Sequence, residues 1–173
     1  MPSAGSFTHS YSSKVLLNTD TKTAFEYLDE PKKLSARMGR SSMMMAGSKM
    51  DMILDEKQGR DLGSVIKMTG KMMGLDLFLQ EKIVDRKPFE KKYWEAFGTQ
   101  RLVILDQYRM GFSLKELGKQ TELTVSIQYR LPSKGISRII GKMLAGFYAK
   151  WCTEQMTKDA ERAFESKSEN INV

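Results

Sequence analysis

The stretch "GISRIIGKMLAGFYAKWCTEQMTKDAERAFE", residues 135–165, follows Pro132 and keeps a helical period for about thirty residues. Its apolar side chains fall into two stripes that share one residue. The first stripe consists of Ile136, Ile140, Met143, Phe147 and Trp151, and the second consists of Ile140, Leu144, Tyr148, Cys152, Met156, Ala160 and Phe164. The first half of the helix is therefore apolar over a wide arc, and we expect it to pack against a sheet.

The second half of this predicted helix differs from the first. A repeat of four residues runs about 40° ahead of the helical period, so the second stripe winds around the helix. Lys158 and Arg162 then stand where the first stripe would have continued. The tail must pack differently or bend. Met156, Ala160 and Phe164 either complete the core or form an exposed contact patch, and we favour the core.

The sequence upstream of the helix changes to a period of two at about residue 48. In "TELTVSIQYRLP" (121–132), four apolar side chains alternate with polar ones, which indicates a strand with one buried face. Similar alternation predicts strands around residues 50–54, 66–72, 75–83, 87–98 and 108–114. The connections look short, so we expect one curved antiparallel sheet of about seven strands, including one near the N-terminus.

The N-terminal region predicts that first strand and two short helices. "KVLLNTD" (14–20) reads as the strand, and Asn18, Thr19 or Asp20 can cap a helix in "NTDTKTAFEYLDE". "PKKLSARMG" (31–39) predicts a second helix that begins with Pro31 and stops at Gly39. We divide the chain into a polar segment (1–13), a single domain (14–166) and a short tail (167–173).

Composition limits the classes of function. The single cysteine excludes an internal disulfide, and nothing at the N-terminus resembles a signal peptide, so we expect a cytoplasmic protein. No apolar run approaches the roughly 20 residues of a membrane span, so membrane contact would be peripheral at most. The net charge of +7 is mixed with 21 acidic residues, which favours a solvated surface over nucleic-acid binding.

The order of strand, two short helices, six strands and a long helix resembles the helix-grip fold of the START-like, or SRPBCC, superfamily. This superfamily includes birch-pollen-allergen-type proteins, lipid-transfer domains and the polyketide cyclase/dehydrase group. The resemblance covers about residues 14–165 and rests on "VLLNTDTKTAFEYLDEPKKLSARM" (15–38) and "GKMLAGFYAKWCTEQMTKDAERAFE" (141–165). It implies an α+β fold in which the sheet wraps around the long helix and encloses an apolar cavity. Family members bind or process apolar small molecules there.

Methionine is concentrated in the strands that would line such a cavity: residues 41–55 hold five of the thirteen. An unbranched, polarizable thioether adapts to ligands of different shape. We therefore predict an apolar ligand in contact with Met50, Met52, Met68, Met72, Leu79, Trp94, Tyr108, Met110, Phe112, Met143, Phe147 and Trp151. One alternative is that methionine fills an irregular core without a ligand. A copper(I) site at Met43, Met44, Met45, Met50 and Met52 is disfavoured because no Cys or His lies near them.

Two carboxylates are predicted to lie on apolar faces. Glu81 shares a face with Leu79 and Ile83, and Asp106 shares one with Tyr108. Burial would raise the pKa of either carboxylate, and with Tyr108 they are the weak candidates for acid–base catalysis. A bulge, a strand end in solvent or a salt bridge would explain each carboxylate without catalysis.

Other catalytic chemistries find little support. His9 is the only histidine, so a zinc site with several His or Cys ligands cannot form, and we expect no metal. Cys152 lies within an apolar stripe, which favours a buried small hydrophobic residue over a nucleophile. The glycines lack a phosphate-binding spacing, so we expect no nucleotide and no other cofactor.

These observations favour binding or transport of an apolar small molecule, such as a lipid, an aromatic compound or a polyketide-like compound. A cyclase or dehydratase that uses inward-facing carboxylates is the first alternative. The second alternative is a protein-interaction module, for which a weak homodimer is the simplest case.

Overall fold

The computed structural model describes residues 7–30, 50–72, 75–98 and 104–169, without the side chains of Met50, Met72, Leu75 and 166–169. The strands are β1 (His9–Leu17), β2 (Met50–Leu54), β3 (Val65–Met72), β4 (Leu75–Lys87), β5 (Lys91–Ala96), β6 (Gln107–Leu117) and β7 (Gln120–Arg130). The helices are α1 (Thr21–Leu28) and α2 (Gly135–Glu169). The predicted helix at 31–39 lies outside the described residues.

All seven strands form one antiparallel sheet in the order β1-β7-β6-β5-β4-β3-β2. From β2 to β7, each strand pairs with the next one along the chain. β1 pairs with β7 and forms the sheet edge opposite β2. A β-bulge between Ile83 and Asp85 interrupts the register of β4 with β5 and bends this long strand. The predicted α+β architecture, with about seven antiparallel strands and a long C-terminal helix, is confirmed.

Two boundaries differ from the expectation. β1 begins at His9, so His9–Ser13, expected in the polar segment, are its first half. Because β1 is an edge strand with exposed Ser10 and Ser12, polar residues are tolerated there and the apolar signal is weak. The final helix continues to Glu169, four residues beyond the predicted end at 165.

Helix α1 forms as its sequence predicts. Asp20 is the N-cap, and its carboxylate accepts hydrogen bonds from the backbone N–H of Thr23 at 2.8 Å and from its hydroxyl at 2.9 Å. Ala24, Phe25 and Leu28 are buried on one face. The helix packs against β6, β7 and α2, and so closes one end of the inner face of the sheet.

Helix α2 lies mainly across β1 and β7. The residues that face the sheet in its first half are small: Gly141, Ala145, Ala149 and Cys152 are buried. A Cβ atom on Gly141 would lie 2.9 Å from the carbonyl oxygen of Ile104, so the absence of a side chain permits this close approach. The inner face of β2–β4 extends beyond the strands on which α2 mainly packs.

Candidate functional site

The inner face of the sheet is built from transverse rows of side chains, because neighbouring strands are in register. One row crosses the whole sheet and contains Leu54, Ile66, Glu81, Ala96, Tyr108, Tyr129 and His9. Continuing the β5–β6 register by one pair beyond Glu95 and Arg109 brings Ala96 opposite Tyr108. Ala96 thus separates Glu81 from Tyr108 by one small side chain, over which the two longer side chains can meet.

Glu81 and Tyr108 do meet there, and they form the centre of the candidate site. The Tyr108 hydroxyl donates a short hydrogen bond to Glu81 Oε1, and the Trp94 indole N–H also donates to this carboxylate. Glu81 is 7% exposed. Burial raises the pKa of Glu81 to about 7, against the opposing effect of the two hydrogen bonds. The carboxyl group therefore changes protonation near neutral pH.

Helix α2 contributes two more polar side chains. The Tyr148 hydroxyl donates to Cys152 Sγ, and both side chains lie close enough to Glu81 to interact with it electrostatically. Burial raises the pKa of the Cys152 thiol to about 12, so the thiol is protonated and unreactive at neutral pH. The expectation that Cys152 is a buried small side chain is confirmed. Tyr148 was predicted only as part of an apolar stripe, and its polar role had no signal in the sequence.

The predicted ligand-contacting residues divide into three groups. Leu79, Trp94, Tyr108, Met110 and Phe112 are buried on the inner face, and Met52, Met68 and Trp151 are half-buried against the same core. The backbones of Met50 and Met72 lie in β2 and β3, but their side chains are outside the description. Met143 and Phe147 do not lie between the sheet and α2: they are 76% and 59% exposed. The small residues of α2 face the sheet, so these two large side chains point away from it.

The prediction that Asp106 faces inward is also wrong. Asp106 precedes β6, is exposed, and accepts hydrogen bonds from the Arg130 side chain at 2.7 and 2.8 Å. The prediction extended the alternation of β6 to a residue that lies before the strand begins. Asp106 is a solvent-exposed carboxylate at the end of the strand. Glu81 is the candidate carboxylate that faces inward.

A second buried charged cluster lies where α1 meets the sheet. Lys92 is 3% exposed, and its Nζ donates to Asp29 Oδ1 at 2.5 Å and to the carbonyl oxygen of Gly59 at 3.0 Å. Arg86 donates to the other Asp29 oxygen at 2.7 Å. The Asp29 carboxylate pairs with both cations and links α1 to β4 and β5, so we assign this cluster a structural role. The sequence analysis did not predict this cluster. Lys92 is two residues from Trp94 and therefore lies on the same inward face of β5, so the alternation that identified Glu81 could also have identified Lys92.

The outer face of the sheet has a polar hollow of about 300 Å³ between Tyr93, Arg109, Ser126 and Gln128. Arg109 lies over the Tyr93 ring and within 3.7 Å of the carboxylates of Asp85 and Glu95, so its charge is already compensated. No group of three or more His, Cys, Asp or Glu side chains in the described part of the chain is arranged to hold a metal ion. None of the helices among those residues is long and apolar enough to span a membrane.

Several solved structures share this architecture. Ginseng major latex-like protein 151 from Panax ginseng is 14% identical, with a TM-score of 0.56 over 90% of this chain and 99% of that one. Ara h 8.0201 is 10% identical, with a TM-score of 0.55 over 88% of this chain and 97% of that one. The chain has the helix-grip fold.

The same fold occurs in the di-domain ARO/CYC protein StfQ from the steffimycin biosynthetic pathway. StfQ is 12% identical, with a TM-score of 0.65 over 92% of this chain and 51% of its own, so this chain corresponds to about half of it. No protein-family model and no curated protein sequence matches the chain. At such identities the likeness establishes the helix-grip fold and no activity.

Proposed function

We propose that this helix-grip protein binds a predominantly apolar small molecule on its inner sheet face, with Glu81 and Tyr108 as the polar group that orients it. The observation that carries the proposal is a buried carboxyl group, without a cation beside it in the described part of the chain, on an otherwise largely apolar sheet face. Among the described residues, Glu81 has no cationic partner, and its contacts are the hydroxyl of Tyr108 and the indole of Trp94.

The energetic cost of burying the Glu81 carboxylate supports a role in ligand recognition. A rise in pKa from 4.5 to about 7 corresponds to a cost of about 3 kcal/mol for the charged form. A neutral side chain of the same size would avoid this cost, and such locally unfavourable groups are concentrated at functional sites. The protonated carboxyl group can donate its O–H to a ligand oxygen, while apolar neighbours contact the rest of the ligand.

The apolar part of this site lies on β2–β4. Met68 of β3 lies between two direct cross-strand neighbours, Met52 of β2 on one side and Leu79 of β4 on the other. Both methionines are half-buried, whereas Leu79 is buried. Two flexible thioethers beside a fixed apolar side chain can adjust to ligands of different shape.

Binding of Nile red, a neutral apolar dye, tests the proposal. The parent protein should bind the dye with saturable affinity, and Met68→Trp should weaken binding at least tenfold because the indole fills the space beside Met52 and Leu79. Ile53→Trp is the matched control, because Ile53 is exposed on the same strand pair as Met52 and Met68. No saturable binding by the parent, or equal losses in the two variants, would contradict the proposal.

A second function is favoured by the protonation behaviour of the same carboxyl group. A pKa of about 7 suits a general acid or base at neutral pH, and cyclase or dehydratase chemistry needs such a group. The fold shared with StfQ supports this alternative by analogy only. Incubation with a poly-β-ketone should give a cyclised or dehydrated product that Glu81→Gln abolishes and Asp106→Asn does not. Absence of product would exclude this activity for that substrate class and leave dye binding unaffected.

A further inference from the structure

The first half of α2 exposes large apolar side chains. Ile136 is 75% exposed and Ile139 is 63% exposed, and Met143 and Phe147 follow on the same side of the helix. Their spacing of three, four and four residues places them on one helical face. We call these four residues the exposed apolar face. The opposite side of the helix carries Gly141, Ala145 and Ala149, which are buried toward the sheet.

The same half of α2 carries exposed cations. By helical spacing, Lys142 and Lys150 lie beside the exposed apolar face, whereas Arg138 lies on the side of Ala145. Lys134, Arg138, Lys142 and Lys150 are all exposed, and residues 131–153 contain no Asp or Glu. This stretch therefore contributes +4 to the net charge of +7. Lys150 lies 3.9 Å from Glu154, but no ion pair within the described part of the chain involves Lys134, Arg138 or Lys142.

The combination of charge and apolar side chains selects one kind of partner. A second copy of this face would bring cations against cations, which disfavours association. An anionic bilayer offers both complementary features, since acyl chains accept the apolar side chains and headgroup phosphates attract Lys and Arg. The helix is already folded against the sheet, so docking needs no further ordering of its backbone.

We propose that the exposed apolar face of α2 docks peripherally on membranes that contain anionic lipids. Ile136, Ile139, Met143 and Phe147 enter the boundary between headgroups and acyl chains. Lys142 and Lys150, which lie beside them, contact lipid phosphates. This surface lies on the side of α2 away from the sheet, so the proposal is independent of ligand binding on the inner face.

Cosedimentation of the full chain with vesicles tests this proposal. The protein should bind vesicles of phosphatidylcholine with 30% phosphatidylserine, bind pure phosphatidylcholine vesicles much more weakly, and lose affinity as salt increases. Lys142→Gln with Lys150→Gln should weaken binding about 30-fold, since each cation near an anionic surface contributes about 1 kcal/mol. Met143→Ser with Phe147→Ser should weaken it at least about tenfold.

Matched controls use exposed side chains elsewhere. Lys115→Gln with Lys119→Gln removes two exposed cations, and Ile53→Ser with Leu62→Ser removes two exposed apolar side chains. Neither control should change vesicle binding more than about threefold, and all variants should keep the melting temperature of the parent.

Three outcomes would overturn the proposal. The first is no binding by the parent, and the second is equal losses in the control and face variants. The third is binding that survives Met143→Ser with Phe147→Ser, because attraction by charge alone does not use the apolar face. Light scattering adds a fourth criterion. A mass that rises with concentration in the parent but not in this double variant, without vesicle binding, would assign the face to a second copy instead.

Discussion

The two halves of α2 are both rich in apolar residues but have opposite environments. The first half presents small side chains to the sheet and large ones, such as Met143 and Phe147, to solvent. The second half buries its large side chains, with Met156 and Phe164 only 1% and 3% exposed. Apolar periodicity therefore identifies a helical face, but it does not decide which face meets the sheet.

Polar contacts reinforce this difference. In the second half, Glu154 accepts a hydrogen bond from Tyr11 of β1 at 3.2 Å, and Thr157 bonds Ser13 at 3.0 Å. The Tyr27 hydroxyl of α1 donates to the carbonyl oxygen of Asp159 at 3.2 Å, and its ring packs edge-on against Phe164. The second half thus joins α1 to the sheet and stabilises the fold, whereas the first half leaves large apolar side chains exposed.

The largest expected difference comes from replacing one Met and one Phe by Ser in each half of α2. Met156→Ser with Phe164→Ser should lower the free energy of unfolding by at least about 5 kcal/mol, because each removes a large buried side chain. Since domains have total stabilities of about 5–15 kcal/mol, this variant should be largely unfolded or close to it. Met143→Ser with Phe147→Ser should change stability by less than about 1 kcal/mol. Urea unfolding measures both, and equal losses would contradict the comparison.

A second prediction concerns Glu81, which lies beneath Tyr148 and Cys152, where the two halves meet. The folded-state pKa of Glu81 is about 7 and its ordinary value is 4.5, so the folded state binds the proton more tightly. Its contribution to stability is complete below about pH 4.5 and is lost as the pH rises through about 7. Glu81→Gln should remove this loss and gain up to about 3 kcal/mol at pH 8 relative to the parent.

Urea unfolding of both proteins at pH 5 and pH 8 measures that difference. From pH 5 to pH 8 the parent should lose up to about 3 kcal/mol of unfolding free energy relative to Glu81→Gln, because any change due to other groups is common to both proteins. Asp106→Asn is the control, since Asp106 is exposed and should leave the pH profile of the parent unchanged. A parent whose stability rises from pH 5 to pH 8 by as much as that of Glu81→Gln would exclude a buried carboxyl with a raised pKa.

A smaller effect distinguishes two glycines of the first half. Gly141→Ala would place Cβ 2.9 Å from the Ile104 carbonyl oxygen and 3.0 Å from the Pro132 ring, so we expect a net loss of about 1 kcal/mol. Gly146→Ala would place Cβ 3.9 Å from the Tyr129 hydroxyl, an ordinary contact, and should gain up to about 1 kcal/mol from helix propensity. Thermal unfolding compares them. A gain in both variants would show that the helix does not approach Ile104 and Pro132 closely at Gly141.

Much of the fold could be predicted because local patterns and the global architecture agree. Alternation located β7, and Asp20 with the apolar face of Ala24, Phe25 and Leu28 located α1. The same parity placed Glu81 beside Leu79 and Ile83 on the inner face. These features depend only on the period of a single element.

The remainder of the site depends on how elements pack together. The Glu81–Tyr108 contact requires a register that puts Ala96 between them, which alternation within one strand cannot reveal. The orientation of α2 depends on Gly141, Ala145 and Ala149, whose small size favours close packing but gives a weak apolar signal. Met143 and Phe147 gave the stronger signal and were therefore placed on the wrong side.

Thiol labelling of two positions in the same helix tests the difference between its halves most directly. Cys152 is the only natural thiol and is buried, so the native parent protein should incorporate no maleimide over a period in which the urea-unfolded chain reacts completely. Met143→Cys should incorporate one equivalent at the rate of a free thiol without loss of stability. If Met143→Cys were protected while Cys152 reacted in the folded protein, the helix would face the other way, and both the exposed apolar face and the packing over Glu81 would be wrong.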